Sequence, residues 1–168
     1  MDEIAQVKNK KILLDTNILI NYGVENFRER SGNILRVLLN NQNKLAVSEI
    51  TGLELLQGET EKSKIEFYLK MLNFISNLDV SRSVLLNAIS LSSGYRRINR
   101  DKKGPSVADL IIGGTVLAHD SLLLTADRKD FSEPMWGVVA HKYVFDDKKS
   151  VIANLYLLKF DENKLIGE

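Results

Sequence analysis

The fold of this chain is limited most by a set of short apolar runs, each stopping abruptly at a polar residue. Ile12-Leu13-Leu14 stops at Asp15, Leu45-Ala46-Val47 at Ser48, and Leu122-Leu123-Leu124 at Thr125. Runs this short are strands, and wholly apolar strands are buried on both faces. Longer segments with helical spacing stand between them. These are expected at Asn26 to Leu39, at Ser48 to Gln57 with Gly58 as its C-cap, and at Glu59 to Asn77. Two more are expected at Arg82 to Arg97 and Val107 to Ala118. Strand alternating with helix predicts an α/β protein with three layers, α/β/α, around a mainly parallel central sheet. A weakly marked strand is expected at Leu78 to Val80. After Pro134 the reading is strand at Trp136 to Phe145, then either strand over Val151 to Phe160 or helix over Val151 to Leu158, with a turn at Asp146-Asp147-Lys148-Lys149. The polar stretch Asn99 to Pro105 is a loop. No repeat or linker divides the chain, so its 168 residues are expected to form one domain.

Composition narrows the chemistry. The chain has no cysteine, which excludes disulfides, thiolate metal sites and a cysteine nucleophile, and two histidines far apart in sequence argue against a zinc site. A formal net charge of +1 supplies no global positive field, so a nucleic acid would have to be held by a local basic patch. There is no secretory signal and no apolar stretch of the roughly 20 residues that span a bilayer, so a cytoplasmic protein without membrane contact is expected.

Four acids sit at strand–helix junctions or just beyond them: Asp15, Glu54, Asp109 and Asp127. The carboxyl edge of a sheet is where α/β proteins build their sites. Each acid also has a plain structural reading. Asp15 serves equally as the N-cap of the next helix. Thr51-Gly52-Leu53-Glu54 fits a capping box, although Ser48 is the better helix start and leaves Glu54 in mid-helix. Asp109 lies in the first turn after Ser106, where the helix dipole favours an anion. Asp127 fits an Asx turn, and Asp130 is its rival for the same role. Gly113, one turn beyond Asp109, is expected to leave room above that carboxylate, and Gly113-Gly114 to let the helix approach the sheet. Taken together, the four acids suggest an oxygen-ligand site for hard divalent cations, and so a metal-dependent phosphodiester hydrolase.

The segments ILLDTNILI around Asp15, VSEITGLELLQG containing Glu54, and VADLIIGGTVLAHDSLLLTADRKDF containing Asp109, Asp127 and Asp130 resemble, in order, the PIN-domain ribonucleases, most of all the VapC-type toxins of toxin–antitoxin pairs. The resemblance covers about residues 11–131. The extension 132–168 carries no matching motif. The resemblance implies an α/β/α fold and an acidic pocket binding Mg²⁺ or Mn²⁺. It also implies an RNA substrate, a homodimer, and an antitoxin laid across the groove.

In that chemistry Asp15 and Asp109 are the principal ligands, and Glu54 and Asp127 complete the site through water or at a second ion. Thr16 and Asn17 orient Asp15, and Thr125 contacts metal-bound water or a phosphate oxygen. Arg96, Arg97, Arg100, Lys102 and Lys103 form a basic cluster just before the helix bearing Asp109. Such a run is commonly a solvated loop, and here it is also a candidate RNA contact. Tyr95 either stacks on a base or belongs to the core. Two other readings compete. A haloacid-dehalogenase-like phosphohydrolase needs an Asp where Asn17 stands, and a PIN-like binding module would need no catalysis.

Overall fold

A computed structural model describes residues 3–31, 34–98, 104–145 and 147–164. Its strands are β1 (Lys11–Leu14), β2 (Lys44–Ser48), β3 (Ser76–Leu78), β4 (Leu122–Thr125), β5 (Trp136–Phe145) and β6 (Val151–Phe160). Its helices are α1 (Thr16–Gly23), α2 (Glu25–Arg30), α3 (Ile34–Asn40), α4 (Glu49–Leu56), α5 (Lys62–Phe74), α6 (Arg82–Ile98) and α7 (Val107–Ala118). All six strands form one sheet in the order β3-β2-β1-β4-β6-β5. The first four are parallel, with Leu13 opposite Ala46 and Leu123, while β6 runs antiparallel to β4 and β5 antiparallel to β6.

Side chains alternate across this sheet, so the two faces bury different sets. Ile12, Leu14, Val47, Leu124 and Leu157 pack with Ile18, Ile34, Leu38 and Tyr68 of α1, α3 and α5. Leu13, Leu123 and Leu158 pack on the other face with Leu91, Tyr95, Ile112 and Val116 of α6 and α7. The three-layer, mainly parallel expectation describes this arrangement. It also fixes which face the site occupies: the residue after Leu14 and the residue after Leu124 both point toward α6 and α7.

Several local expectations are corrected. The helix expected at Asn26 to Leu39 is two helices, α2 and α3. The helix expected to reach Asn77 stops at Phe74, because Ile75 is extended and the Asn77 amide donates to the carbonyls of Leu72 (2.9 Å) and Ile75 (3.2 Å). Strand β3 therefore starts at Ser76, earlier than the expected Leu78 to Val80, and pairs there with Ala46. Val151 to Phe160 is a strand, not a helix, because it bonds to β4 on one side and β5 on the other. Helix α4 does end as expected, with Gly58 at a φ of 80° just beyond it.

The glycine pair of α7 has a different partner from the one expected. A Cβ on Gly114 would stand 2.4 Å from the Val84 carbonyl and 3.0 Å from the Ala88 amide. The close approach is thus to α6, not to the sheet. A Cβ on Gly113 would meet Leu91 at 2.8 Å and Trp136 at 3.3 Å, so this position is packed and leaves no room for an ion. No helix among the described residues is long and apolar enough to cross a membrane.

Candidate active site

Parallel strands ending together place their following residues side by side, and Asp15 and Thr125 meet in this way. Asp15 stands at the N-cap of α1 with extended backbone, yet its side chain forms no capping bond. Its backbone amide bonds the Leu124 carbonyl at 2.9 Å, which ties the β1 end to β4. The carboxylate is 3% exposed. Its Oδ2 accepts from the Thr125 hydroxyl and from the Asn17 amide, both at 2.6 Å. Asn17 is held in turn through its Oδ1, which accepts from the Ala126 amide at 2.9 Å. Thr125 and Asn17 therefore brace Asp15, and Asn17 occupies the place where a haloacid-dehalogenase-like phosphohydrolase would need a general acid.

Glu54 reaches the same place from α4. Ser48 is the N-cap of that helix, so Glu54 lies near its last turn and turns toward α1. There its Oε2 accepts from the Thr16 hydroxyl at 2.5 Å. The buried Thr51 hydroxyl stands 3.4 Å from that of Thr16. Below it Thr115 of α7 donates to Ser48 across 3.0 Å or to the Ile111 carbonyl at 2.8 Å. Sequence marked Ser48 and Thr51 only as rival starts of α4, and Thr115 not at all. The available signal was Thr51 standing one helical turn before Glu54.

Asp109 forms both halves of a capping box with Ser106: its Oδ2 accepts from the Ser106 amide at 2.9 Å, and its own amide donates to the Ser106 hydroxyl at 3.1 Å. The plain structural role is therefore present. It does not remove the charge, which acts on Asp15 from the side of α7. Burial, first of all, pushes the Asp15 carboxyl up to about 7; the Asp109 and Glu54 carboxylates add to this, while the Thr125 hydroxyl and Thr16 amide oppose it. Asp15, Glu54 and Asp109 are thus electrostatic neighbours on one edge.

Asp127 is exposed, and its Oδ1 accepts from the Lys129 amide at 2.9 Å, the Asx turn foreseen as its plain reading. Its amide also bonds the Thr125 hydroxyl at 2.9 Å, so it flanks the brace on Asp15. Asp130 is half-buried, and its carbonyl accepts from the Tyr95 hydroxyl at 2.9 Å. Tyr95 itself is core, not a stacking platform: its oxygen also accepts from the Trp136 indole at 2.8 Å, and burial raises its pKa strongly. Arg96 and Arg97 are exposed in the last turn of α6. Arg100, Lys102 and Lys103 lie outside the described residues.

Among the described residues no three acidic or histidine side chains are already grouped around a single cation position. The donor set is nonetheless all oxygen. A small hard cation such as Mg²⁺ is commonly held by one or two carboxylates and keeps several waters.

The sequence matches the PIN-domain family model over residues 12–134. No curated protein matches. Among solved structures it is similar to a chain of VapBC2 from Rickettsia felis bound to a promoter DNA fragment, at 24% identity and a TM-score of 0.61, covering 72% of this chain and 90% of that one. It is also similar to a chain of a toxin–antitoxin complex from Klebsiella pneumoniae, at 25% identity and a TM-score of 0.54, covering 73% and 92%. A third is VapBC-1 from nontypeable Haemophilus influenzae, at 22% identity and a TM-score of 0.57, covering 72% and 90%. With its family model matched across both strand ends that hold the acids, the chain belongs to the PIN-domain family.

Proposed function

We propose that this protein is a metal-dependent endoribonuclease, the VapC-type toxin of a toxin–antitoxin pair, with Asp15, Glu54, Asp109 and Asp127 as its acidic residues. The observation that carries the reading is Asp15. A carboxylate buried to 3% exposure and driven to about 7 by burial and by two neighbouring carboxylates is an expensive arrangement for a merely structural residue. A divalent cation would offset all three charges. The oxygen donors suit Mg²⁺ or Mn²⁺, with Asp15 and Asp109 as principal ligands and Glu54 and Asp127 acting through water or at a second ion. Such an ion supplies Lewis-acid stabilisation of the charge that develops on a phosphodiester during attack by water.

The chain's own residues set the geometry. Thr125 and Asn17 hold Oδ2 of Asp15, which fixes the direction of its carboxylate. Thr16 orients Glu54 in the same way. Arg96 and Arg97, with Arg100, Lys102 and Lys103 beyond the described residues, are the candidate phosphate contacts. A homodimer is supported by Leu85, Leu86 and Ile89, which stand 44%, 54% and 62% exposed along one side of α6. An antitoxin partner is supported by the toxin–antitoxin assembly of the Klebsiella relative.

The test is cleavage of a mixed RNA pool by purified protein with Mg²⁺, with Mn²⁺ and with EDTA, beside Asp109→Asn prepared identically. Metal-dependent cleavage that disappears in the folded variant is the expected result. Equal activity of the two proteins, or equal activity in EDTA, would overturn it.

A further inference from the structure

The long hairpin β5–β6 lies beyond the residues matched by the family model, and its position relative to the acids is informative. Thr125 is the last residue of β4 and pairs with Tyr156 of β6, which pairs with His141 of β5. Asp15 follows Leu14, itself opposite Leu124. Asp15, Thr125, Tyr156 and His141 therefore form one row across four neighbouring strands, on the face turned toward α6 and α7. At about 4.8 Å per strand, the row spans roughly 14 Å.

Past this row β4 has ended, but the hairpin continues for several residues; one face of it still packs on the core through Ala140, Val144 and Ala153, and Arg30 of α2 pairs with Asp147 in its turn. The opposite face carries aromatic rings. His141, Tyr143 and Phe145 alternate along β5, with centroids 5.1 Å apart for the first pair and 6.2 Å for the second. Tyr143 is 49% exposed and Phe145 47%. On the other side the Arg128 guanidinium lies 5.9 Å from the Tyr156 ring centroid. The sheet face leading away from the buried carboxylate thus passes from the half-buried His141 and Tyr156 to the exposed rings of Tyr143 and Phe145, with Lys148 and Lys149 in the exposed turn at its far end.

We propose that this face binds single-stranded RNA as it leaves the acidic pocket, with unpaired bases stacking on Tyr143 and Phe145 while the backbone runs past Tyr156 and Arg128 toward the buried carboxylate. Stacking suits any base, because each has a π-face, and it requires bases free of a duplex. A duplex keeps its bases paired and cannot use the rings, so the face selects unpaired segments. This inference rests on the ribonuclease reading and adds the path the RNA follows along the hairpin, outside the residues matched by the family model.

The experiment measures binding of a short, unstructured, fluorescently labelled RNA and of a duplex of equal length to the full chain carrying Asp109→Asn, which blocks cleavage. Tyr143→Ala combined with Phe145→Ala should weaken single-strand binding by about a hundredfold, roughly tenfold per ring. The salt dependence of binding should stay unchanged, because no phosphate contact is lost. Tyr143→Phe, which keeps the ring, should bind as the parent does and excludes loss of fold as the cause. Equal single-strand affinity in the parent and the double variant would overturn this inference while leaving the ribonuclease reading intact. A parent that binds no RNA would overturn both. A double variant that changes oligomeric state at unaltered RNA affinity would make the face a protein interface instead.

Discussion

The two halves of the sheet are built by different rules. In the parallel half, β1, β2 and β4 are 4 or 5 residues long and bury nearly every side chain, so each is little more than a spacer that ends at a polar residue of the candidate site. In the antiparallel half, β5 and β6 have 10 residues each, and much of their surface stays exposed, including Val138, Tyr143, Phe145 and Val151. Buried parallel strands must be covered by helices on both sides, which confines chemistry to their ends. An antiparallel hairpin can extend past its neighbours and offer a whole face. On the proposed reading, catalytic placement belongs to the short half and surface recognition to the long one.

This contrast can be broken most directly at the acids. Asp109→Asn should lower RNA cleavage about a thousandfold, the rate equivalent of roughly 4 kcal/mol of transition-state stabilisation, in a variant whose circular dichroism is unchanged. Substitution of Lys148 in the hairpin turn should leave the single-turnover rate at saturating RNA intact.

The next effect is on stability and depends on pH. The Asp15 carboxyl titrates near 7 in the fold against an ordinary value of 3.8. Between these values the folded state holds the extra proton, so stability of the metal-free protein falls as pH rises through that window. A gap of about 3 units corresponds to at most about 4 kcal/mol. Asp15→Asn should recover much of this above neutral pH and almost none near pH 4, as read from urea unfolding at both ends of the range. It should also abolish the rise in melting temperature that Mg²⁺ gives the parent.

Glycines sharpen the comparison at smaller scale. Gly114→Ala places a methyl group against the Val84 carbonyl and the Ala88 amide, backbone atoms that cannot swing aside. It should cost about 2 to 3 kcal/mol as α6 and α7 are pushed apart. Gly137→Ala in β5 meets only the Lys159 carbonyl, at 3.9 Å. Relief of the glycine entropy cost should make that variant more stable by about 0.5 kcal/mol, measured by the same unfolding curves.

The runs Ile12-Leu13-Leu14 and Leu122-Leu123-Leu124 were legible as strands because apolar segments so short have no other stable use, and the polar residue after each marked an edge. Ser48 as the start of α4 and Gly58 beyond its end were legible from residue type, although the Ser48 hydroxyl accepts from Thr115 and makes no capping bond. The split of α2 from α3, the end of α5 and the strand character of Val151 to Phe160 were not, because local periodicity fits both alternatives. Sequence by itself determined the kinds of element, their order and the acidic residues at their junctions, since these follow from side-chain pattern over a few neighbours. Only the tertiary structure decided that Thr125 and Asn17 hold Asp15, that Gly113 and Gly114 face α6, that Tyr95 is core, and that Tyr156 and His141 of the hairpin share a row with the buried carboxylate. Each of those rests on pairing between residues distant in the chain, and register across a sheet is set by packing of the whole, not by any one segment.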